Sequence, residues 1–196
     1  MNPRSAHDEL RQSLRRSLRD CVVVDCETTG LDPDNDRIIE VAALRVREGR
    51  PVALFHRVVD PRRPLPEFIT SLTGLTDQRV RQAPPVGDIL GDLSAFLSHH
   101  TVVGHNVGFD LAFIDAEITT TQSTPRAASL SLCTAESARA LVPRSRVGRY
   151  RLNTLADAFD LDHRPSHRTV SDVLATLDLL HYLSGVCEAE QADASL

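Results

Sequence analysis

Nowhere in the 196 residues is there a lysine: all 22 basic residues are arginine. The base composition of a genome explains that bias without any need for guanidinium geometry. Also absent is a run of about 18 apolar residues, which excludes a membrane-spanning helix. The opening MNPRSAHDELRQSLRRSLRD lacks the apolar stretch of a secretory leader. The chain is therefore expected to be soluble, cytoplasmic and free of membrane. Its four cysteines, Cys21, Cys26, Cys133 and Cys187, show no CxxC spacing and no neighbouring histidine cluster. They favour neither a zinc site nor a disulfide framework and read as reduced thiols. A formal net charge of −5 argues against nonspecific coating of nucleic acid, which rests on many basic contacts to phosphates. It leaves open a protein that meets a nucleic acid end through metal ions held by clustered carboxylates. The length fits one domain around one core.

Along the chain, Leu10, Leu14 and Leu18 recur every four residues among charges and predict a short amphipathic helix over residues 8–19. CVVVD, Cys21 to Asp25, is a continuous apolar run ending in an acid, as in a buried central strand. Ile38–Val46 and Val52–Val59 flank the turn formers Glu48, Gly49 and Arg50 and predict an antiparallel hairpin. Pro61–Pro66 is a loop and Leu72–Thr76 a tight connection. Helical spacing predicts helices around Ile89–Leu97, Val107–Ile118, 135–142 and 152–159, and a last one carrying Val170, Val173, Leu174, Leu177 and Leu180. Thr101–Gly104 and Leu130–Cys133 are short strands, the second at an edge. Thr119–Ala127 is predicted to be a flexible loop, and the segment after Cys187 a disordered tail. These elements predict an α/β domain with a mixed sheet covered by helices. Ligands of such sheets sit beyond the carboxyl ends of the central strands, and Asp25 lies at such an end.

Asp25 and Glu27 are two residues apart in a strand, so both side chains project from one face. Two adjacent carboxylates repel, and a divalent cation is the simplest remedy. DxE alone is a weak pattern, equally a polar strand exit. GHNVGFD, Gly104 to Asp110, delivers another acid in the first turns of a helix, where the helix dipole also favours one. HRTVSD, His167 to Asp172, puts Asp172 at the edge of the last helix's apolar stripe. His167 is on a short tether before it, with a side chain that titrates near neutrality and suits a general base.

Four acids and a histidine in this order, within this frame, resemble the DEDDh (DnaQ-like) 3′-5′ exonuclease family, whose best-known members proofread for bacterial replicative polymerases. VVVDCETTGLDP is similar to its first motif, VGHNVGFDLAFID to its second and HRTVSD to its third. LTGLT and YRLNTLADAFDL are similar to its connectors. The resemblance covers about Cys21 to Gly185. It implies an RNase H-like fold: a mixed five-stranded sheet with one antiparallel strand, covered by helices. The domain would span 21–186, after a helical extension over 1–20 and before a tail over 187–196. Asp25, Glu27, Asp110 and Asp172 would hold two divalent cations, Mg2+ or Mn2+, with His167 as general base. Thr28, Thr29, Gly30 and Leu31 match one wall of the terminal-nucleotide pocket, and His105, Asn106 and Phe109 the other. Gly30 could instead only make the turn, and Phe109 only fill core. Cys133 and Val173 depart from the family's usual residues without touching a ligand or the base.

The implied partner is a nucleic acid 3′ end, DNA ahead of RNA, with a polymerase subunit as a further partner. An exoribonuclease stays open, because the same groups handle either polymer. A noncatalytic binding module would be expected to lack a ligand or the base, and none is missing. DPDND, Asp32 to Asp36, superficially matches a calcium loop but fails, with Arg37 and Ala43 where glycine and glutamate are required.

Overall fold

The computed structural model describes residues 3–123 and 130–193. Five strands form one sheet: β1 (Asp20–Thr28), β2 (Ile38–Arg47), β3 (Arg50–Val58), β4 (Thr101–Gly104) and β5 (Ser131–Cys133), in the order β3-β2-β1-β4-β5. β2 is antiparallel to β1 and β3, whereas β4 is parallel to β1 and β5. The single antiparallel strand is β2, as expected.

The alternating side chains of β1 build two core layers. Cys21 and Val23 pack with α1 (Pro3–Arg19), α6 (Thr134–Leu141), α8 (Leu152–Phe159) and α9 (Thr169–Asp193). Val22, Val24 and Cys26 pack on the other face with α4 (Gly87–Leu97) and α5 (Val107–Thr121). Valines 22 to 24 are at most 1% exposed, each contributing roughly 1.5–3 kcal/mol by burial. α1 shares the first layer: Leu14 is fully buried there, with Leu10 and Leu18 packed against it.

Three short helices lie where the sequence shows only connections: α2 (Glu67–Thr73), α3 (Asp77–Arg81) and α7 (Arg144–Val147). Each is too short for a periodic pattern. Gly74, φ 72°, ends α2, and the Thr76 hydroxyl accepts from Arg79 N to begin α3, so LTGLT is the joint between them. The loop predicted from Thr119 is corrected in part, since α5 continues through Thr121. Thr119 and Thr121 donate their hydroxyls back to Asp115 O and Glu117 O, so these polar side chains are satisfied within the helix itself. The remainder of that predicted loop, 124–127, lies outside the described residues. The last helix is described through Asp193, past Cys187, in a segment rich in helix-forming alanine, glutamate and glutamine.

Candidate active site

Strand parity sends Asp25 and Glu27 to the face of Cys21 and Val23, at the carboxyl end of β1. The pairing with β4 ends at Val23↔Val103, so past that point this edge of β1 has no strand partner. The Cys26 N–H donates instead to Asp110 Oδ1 at 2.9 Å. Asp110 reaches it because β4 stops at Gly104 and α5 starts at Val107, with Asn106 turning the chain at φ 75°. Gly104 permits the close approach: a Cβ there would lie 3.0 Å from Val107 Cβ and 3.1 Å from Val24 O.

Asp172, in the first turn of α9, is 7% exposed. Its Oδ1 accepts from Ser166 N at 2.9 Å and Ser171 Oγ at 3.0 Å. Glu27, His167 and Asp172 each offer a ligand atom within 4.8 Å of the other two. Burial raises Asp25 well above the usual carboxylate range, reinforced by Asp110, Asp172, Glu27 and Glu40. Burial, followed by Asp172 and Glu40, pushes Glu27 up to about 7. Burial takes Asp110 to about 8 despite the opposing Cys26 hydrogen bond. Asp25 Oδ2 is buried with no hydrogen-bond partner among the described residues.

Glu40 on β2 shows what a satisfied acid looks like in the same neighbourhood. It is fully buried, yet Arg168 Nε and Nη2 donate to its two oxygens at 2.9 and 2.7 Å. His56 Nε2 lies 2.9 Å from Oε1, and Thr169 N donates to Oε2 at 3.3 Å. Burial would raise Glu40, but the Arg168 and His56 hydrogen bonds prevail and hold it below its ordinary value. The chain thus supplies a cation to Glu40, while Asp25 Oδ2 has no donor among the described residues. Clustered oxygen ligands around such an orphaned atom fit a hard divalent cation.

Glu40 and Arg168 were not among the sequence's candidates, and they anchor the residue that was. His167 has a left-handed backbone, φ 55°, a conformation uncommon outside glycine. On one side Ser166 N is tied to Asp172; on the other Arg168 and Thr169 are tied to Glu40. An acid inside the apolar run IIEVAALRV was the available signal, since buried acids require partners.

The pocket candidates divide. Leu31 is 84% exposed, an apolar side chain left in solvent. Thr28 is buried, and its hydroxyl closes the turn onto Gly30 O. Thr29 is buried too: its hydroxyl donates to Asp36 Oδ1 and accepts from Arg37 N, both at 3.0 Å. A Cβ on Gly30 would run into the Asp36 carboxylate, so any side chain there would push Asp36 off its bonds to the Thr29 hydroxyl and Asp32 N. Phe109 packs on Phe113, ring centroids 4.8 Å apart. His105 and Asn106 line a cleft of about 620 Å³ with Arg139, Tyr150, His167 and Asp172. Both ring nitrogens of His105 are engaged. Nε2 donates to Tyr150 O at 2.9 Å, and Nδ1 lies 3.0 Å from the Thr134 hydroxyl, which also donates to Gly104 O at 3.3 Å.

A sheet of this topology, with acids and a histidine gathered beyond its central strand, is that of an RNase H-like nuclease. The chain belongs to the RNase_T exonuclease family, which it matches over residues 22–180. It is 36% identical over 159 residues to the PolC-type DNA polymerase III of Bacillus subtilis (strain 168), covering 81% of this chain and 11% of that protein. It is 35% identical over 175 residues to the putative bifunctional exonuclease/endonuclease protein MT2247 of Mycobacterium tuberculosis (strain CDC 1551 / Oshkosh), covering 85% of this chain and 27% of that one. The chain therefore spans a small part of these relatives. In fold it is similar to exonuclease X in complex with 5′ overhanging duplex DNA, with TM-score 0.66, 24% identity and coverage of 84% and 91% of the two chains. It is likewise similar to E. coli exonuclease I in complex with a dT13 oligonucleotide, with TM-score 0.74, 18% identity and coverage of 90% and 43%.

Proposed function

We propose that this chain is a divalent-cation-dependent 3′-5′ exonuclease that releases nucleoside 5′-monophosphates from DNA, preferring single-stranded or mismatched 3′ ends. The observation that carries the reading is the orphaned Asp25 Oδ2 among Glu27, Asp110 and Asp172, beside a histidine held in reach of two of them. Asp25, Glu27, Asp110 and Asp172 would hold two ions, Mg2+ or Mn2+ by their oxygen-only ligands. Bound there, such ions supply activation of a water and stabilisation of the leaving 3′-oxygen.

The chain's own groups do the rest. His167, exposed on its tethered loop, takes the proton of the attacking water. The Thr28–Leu31 turn, closed by the Thr28 hydroxyl and buttressed by Asp36 against Gly30, ends the pocket, so a strand terminus fits and an interior phosphodiester does not. Leu31, standing in solvent, wedges against the last bases. A frayed end is then preferred because pairing and stacking must be broken before chemistry. His105, already bonded at both nitrogens, acts as a support of the cleft wall rather than as a substrate contact.

DNA is favoured over RNA by the company the chain keeps: a DNA polymerase and exonucleases described with DNA. The polymerase relative also supports a role in proofreading. End-labelled single-stranded DNA, mismatched duplex, matched duplex and short RNA, incubated in parallel with Mg2+ and then with EDTA, test the reading. Single-nucleotide products from the first two, lost in EDTA, are expected. Faster degradation of RNA would make the chain an exoribonuclease. Cleavage of a closed single-stranded circle, absent in an Asp25→Ala control, would make it an endonuclease.

A further inference from the structure

The cleft beside the acids continues away from them. At its far side Arg139, Tyr150 and Arg151 also line a second opening of about 390 Å³, which runs on past Gly148 to Arg144 and Arg149. The two openings share that wall, so we treat them as one furrow, with His167 and Asp172 lining the first opening and Arg144 and Arg149 the second. No acid occurs between Glu136 and Asp157, in a chain whose net charge is −5.

What matters for the furrow is whether its arginines are neutralised by a carboxylate. Arg45, Arg62, Arg81, Arg164 and Arg168 each pair with a carboxylate. Arg146, outside both openings, lies over the Phe159 and Tyr182 rings at 5.3 and 5.9 Å. Arg139, Arg144, Arg149 and Arg151 are exposed and form no ion pair among the described residues; Arg139 lies over the Tyr150 ring at 5.8 Å and Arg144 Nε donates to Gly148 O at 3.2 Å, contacts that leave both charges unneutralised. The wall that carries them is pinned at Tyr150. Its hydroxyl donates to Val142 O at 2.7 Å, and its carbonyl accepts from His105, one residue before the left-handed Asn106 that opens the helix of Asp110. The basic wall is thereby coupled to the frame that positions the acids.

A polyanion approaching clustered carboxylates is repelled unless a cationic path guides it. We propose that this furrow is the track for the sugar-phosphate backbone of the substrate strand, 5′ of the bond cleaved, with Arg139, Arg144, Arg149 and Arg151 meeting successive phosphates. The inference rests on the exonuclease reading and deepens it: the preferred substrate is a single strand several nucleotides long, gripped upstream of its end.

The test compares the wild type with R149Q/R151Q and with R79Q/R81Q, which removes two charges from α3, remote in sequence from the furrow. KM is measured from about 50 to 200 mM salt for a twelve-nucleotide oligothymidylate and for a thymidine dinucleotide. Each phosphate contact on a single strand contributes about 0.7 to the slope of log affinity against log salt. R149Q/R151Q should flatten that slope by about 1.4, so its KM disadvantage shrinks about sevenfold across the range. Its KM for the twelve-mer should move toward that for the dinucleotide, and the control should behave as wild type. An unchanged slope, or an equal change in the control, overturns the proposal. Anisotropy of a labelled twelve-mer with the metal-stripped proteins separates the two ideas. Weaker binding by R149Q/R151Q alone supports the track even if no protein hydrolyses DNA, and equal binding by all three refutes it even if all are active.

Discussion

Stripped of divalent cations, the protein should lose stability as pH rises from 5 to 8. Burial, with Asp172 and Glu40 adding to it, lifts Glu27 from 4.5 to about 7 in the folded state. A folded value above the unfolded one means that the folded state binds the proton more tightly. The stabilisation is complete below about pH 4.5 and is lost as pH climbs through about 7. At 1.36 kcal/mol per pH unit, the span from 5 to 7 amounts to about 3 kcal/mol. Asp110, raised to about 8, and Asp25 act in the same direction. Glu40, held low, gives stability that disappears only as pH falls, below this window. A chain of this size shifts its Tm by about 2–4 °C per kcal/mol, so the melting point in EDTA should fall by about 6–12 °C between pH 5 and 8. Saturating Mg2+ should remove most of that fall, because a bound cation favours the ionised carboxylates. Circular dichroism melts at four pH values, with EDTA and with Mg2+, measure it. An EDTA-treated protein as stable at pH 8 as at pH 5, or a Glu27→Gln variant with an undiminished slope, would refute the reasoning.

Asp25→Ala or Asp172→Ala should abolish hydrolysis; the metal-free Asp25→Ala protein should melt no lower than wild type, since removing that acid relieves repulsion, whereas Asp172→Ala also gives up the bonds from Ser166 N and Ser171 Oγ and should melt lower. A folded, fully active Asp25→Ala variant would sink the metal assignment. His167→Ala should lower kcat by about 10² to 10⁴ while Mn2+ titration still shows binding, and an unchanged kcat would move the base elsewhere. Arg168→Gln should cost about 2 kcal/mol in chemical denaturation, the worth of a charge-assisted hydrogen bond, and should lower kcat more than it raises KM. In a His167→Ala background it should lower kcat no further, because residues acting as one unit are not additive; full additivity would make Arg168 merely structural. Arg168→Lys should recover stability better than kcat, since an ammonium cannot reproduce the two-pronged grip on Glu40.

How much of the fold was legible depended on length and pattern. The run Cys21–Asp25 reads as a buried strand because both its faces are covered, and the hairpin because Glu48 and Gly49 supply the positive φ its turn needs. Both appear where expected. α2, α3 and α7 do not announce themselves, because helices of four to seven residues show no full apolar period. They are set by Pro66, Gly74, Thr76 and Pro143 at their ends. Thr119 and Thr121 read as loop residues by composition, yet each is helical, its hydroxyl satisfied by the carbonyl one turn back.

The acids of the candidate site stood out in the sequence for a different reason. They carry a cost that sequence alone exposes: two carboxylates at one strand end, or an acid beside an apolar stripe, need an explanation. Glu40 carried the same signal within IIEVAALRV, but its partner lies 128 positions away, beyond any local pattern. His105 shows the converse. Beside an asparagine and a distant aspartate it reads as part of a substrate wall, but its two hydrogen bonds, to Tyr150 O and the Thr134 hydroxyl, make it a fastening between β4 and the arginine-bearing segment. Burial lowers its pKa, which keeps the ring neutral. Spacing brings out groups that are unfavourable without a ligand, whereas the residues that hold those groups in place are satisfied by distant parts of the chain and emerge only from the fold.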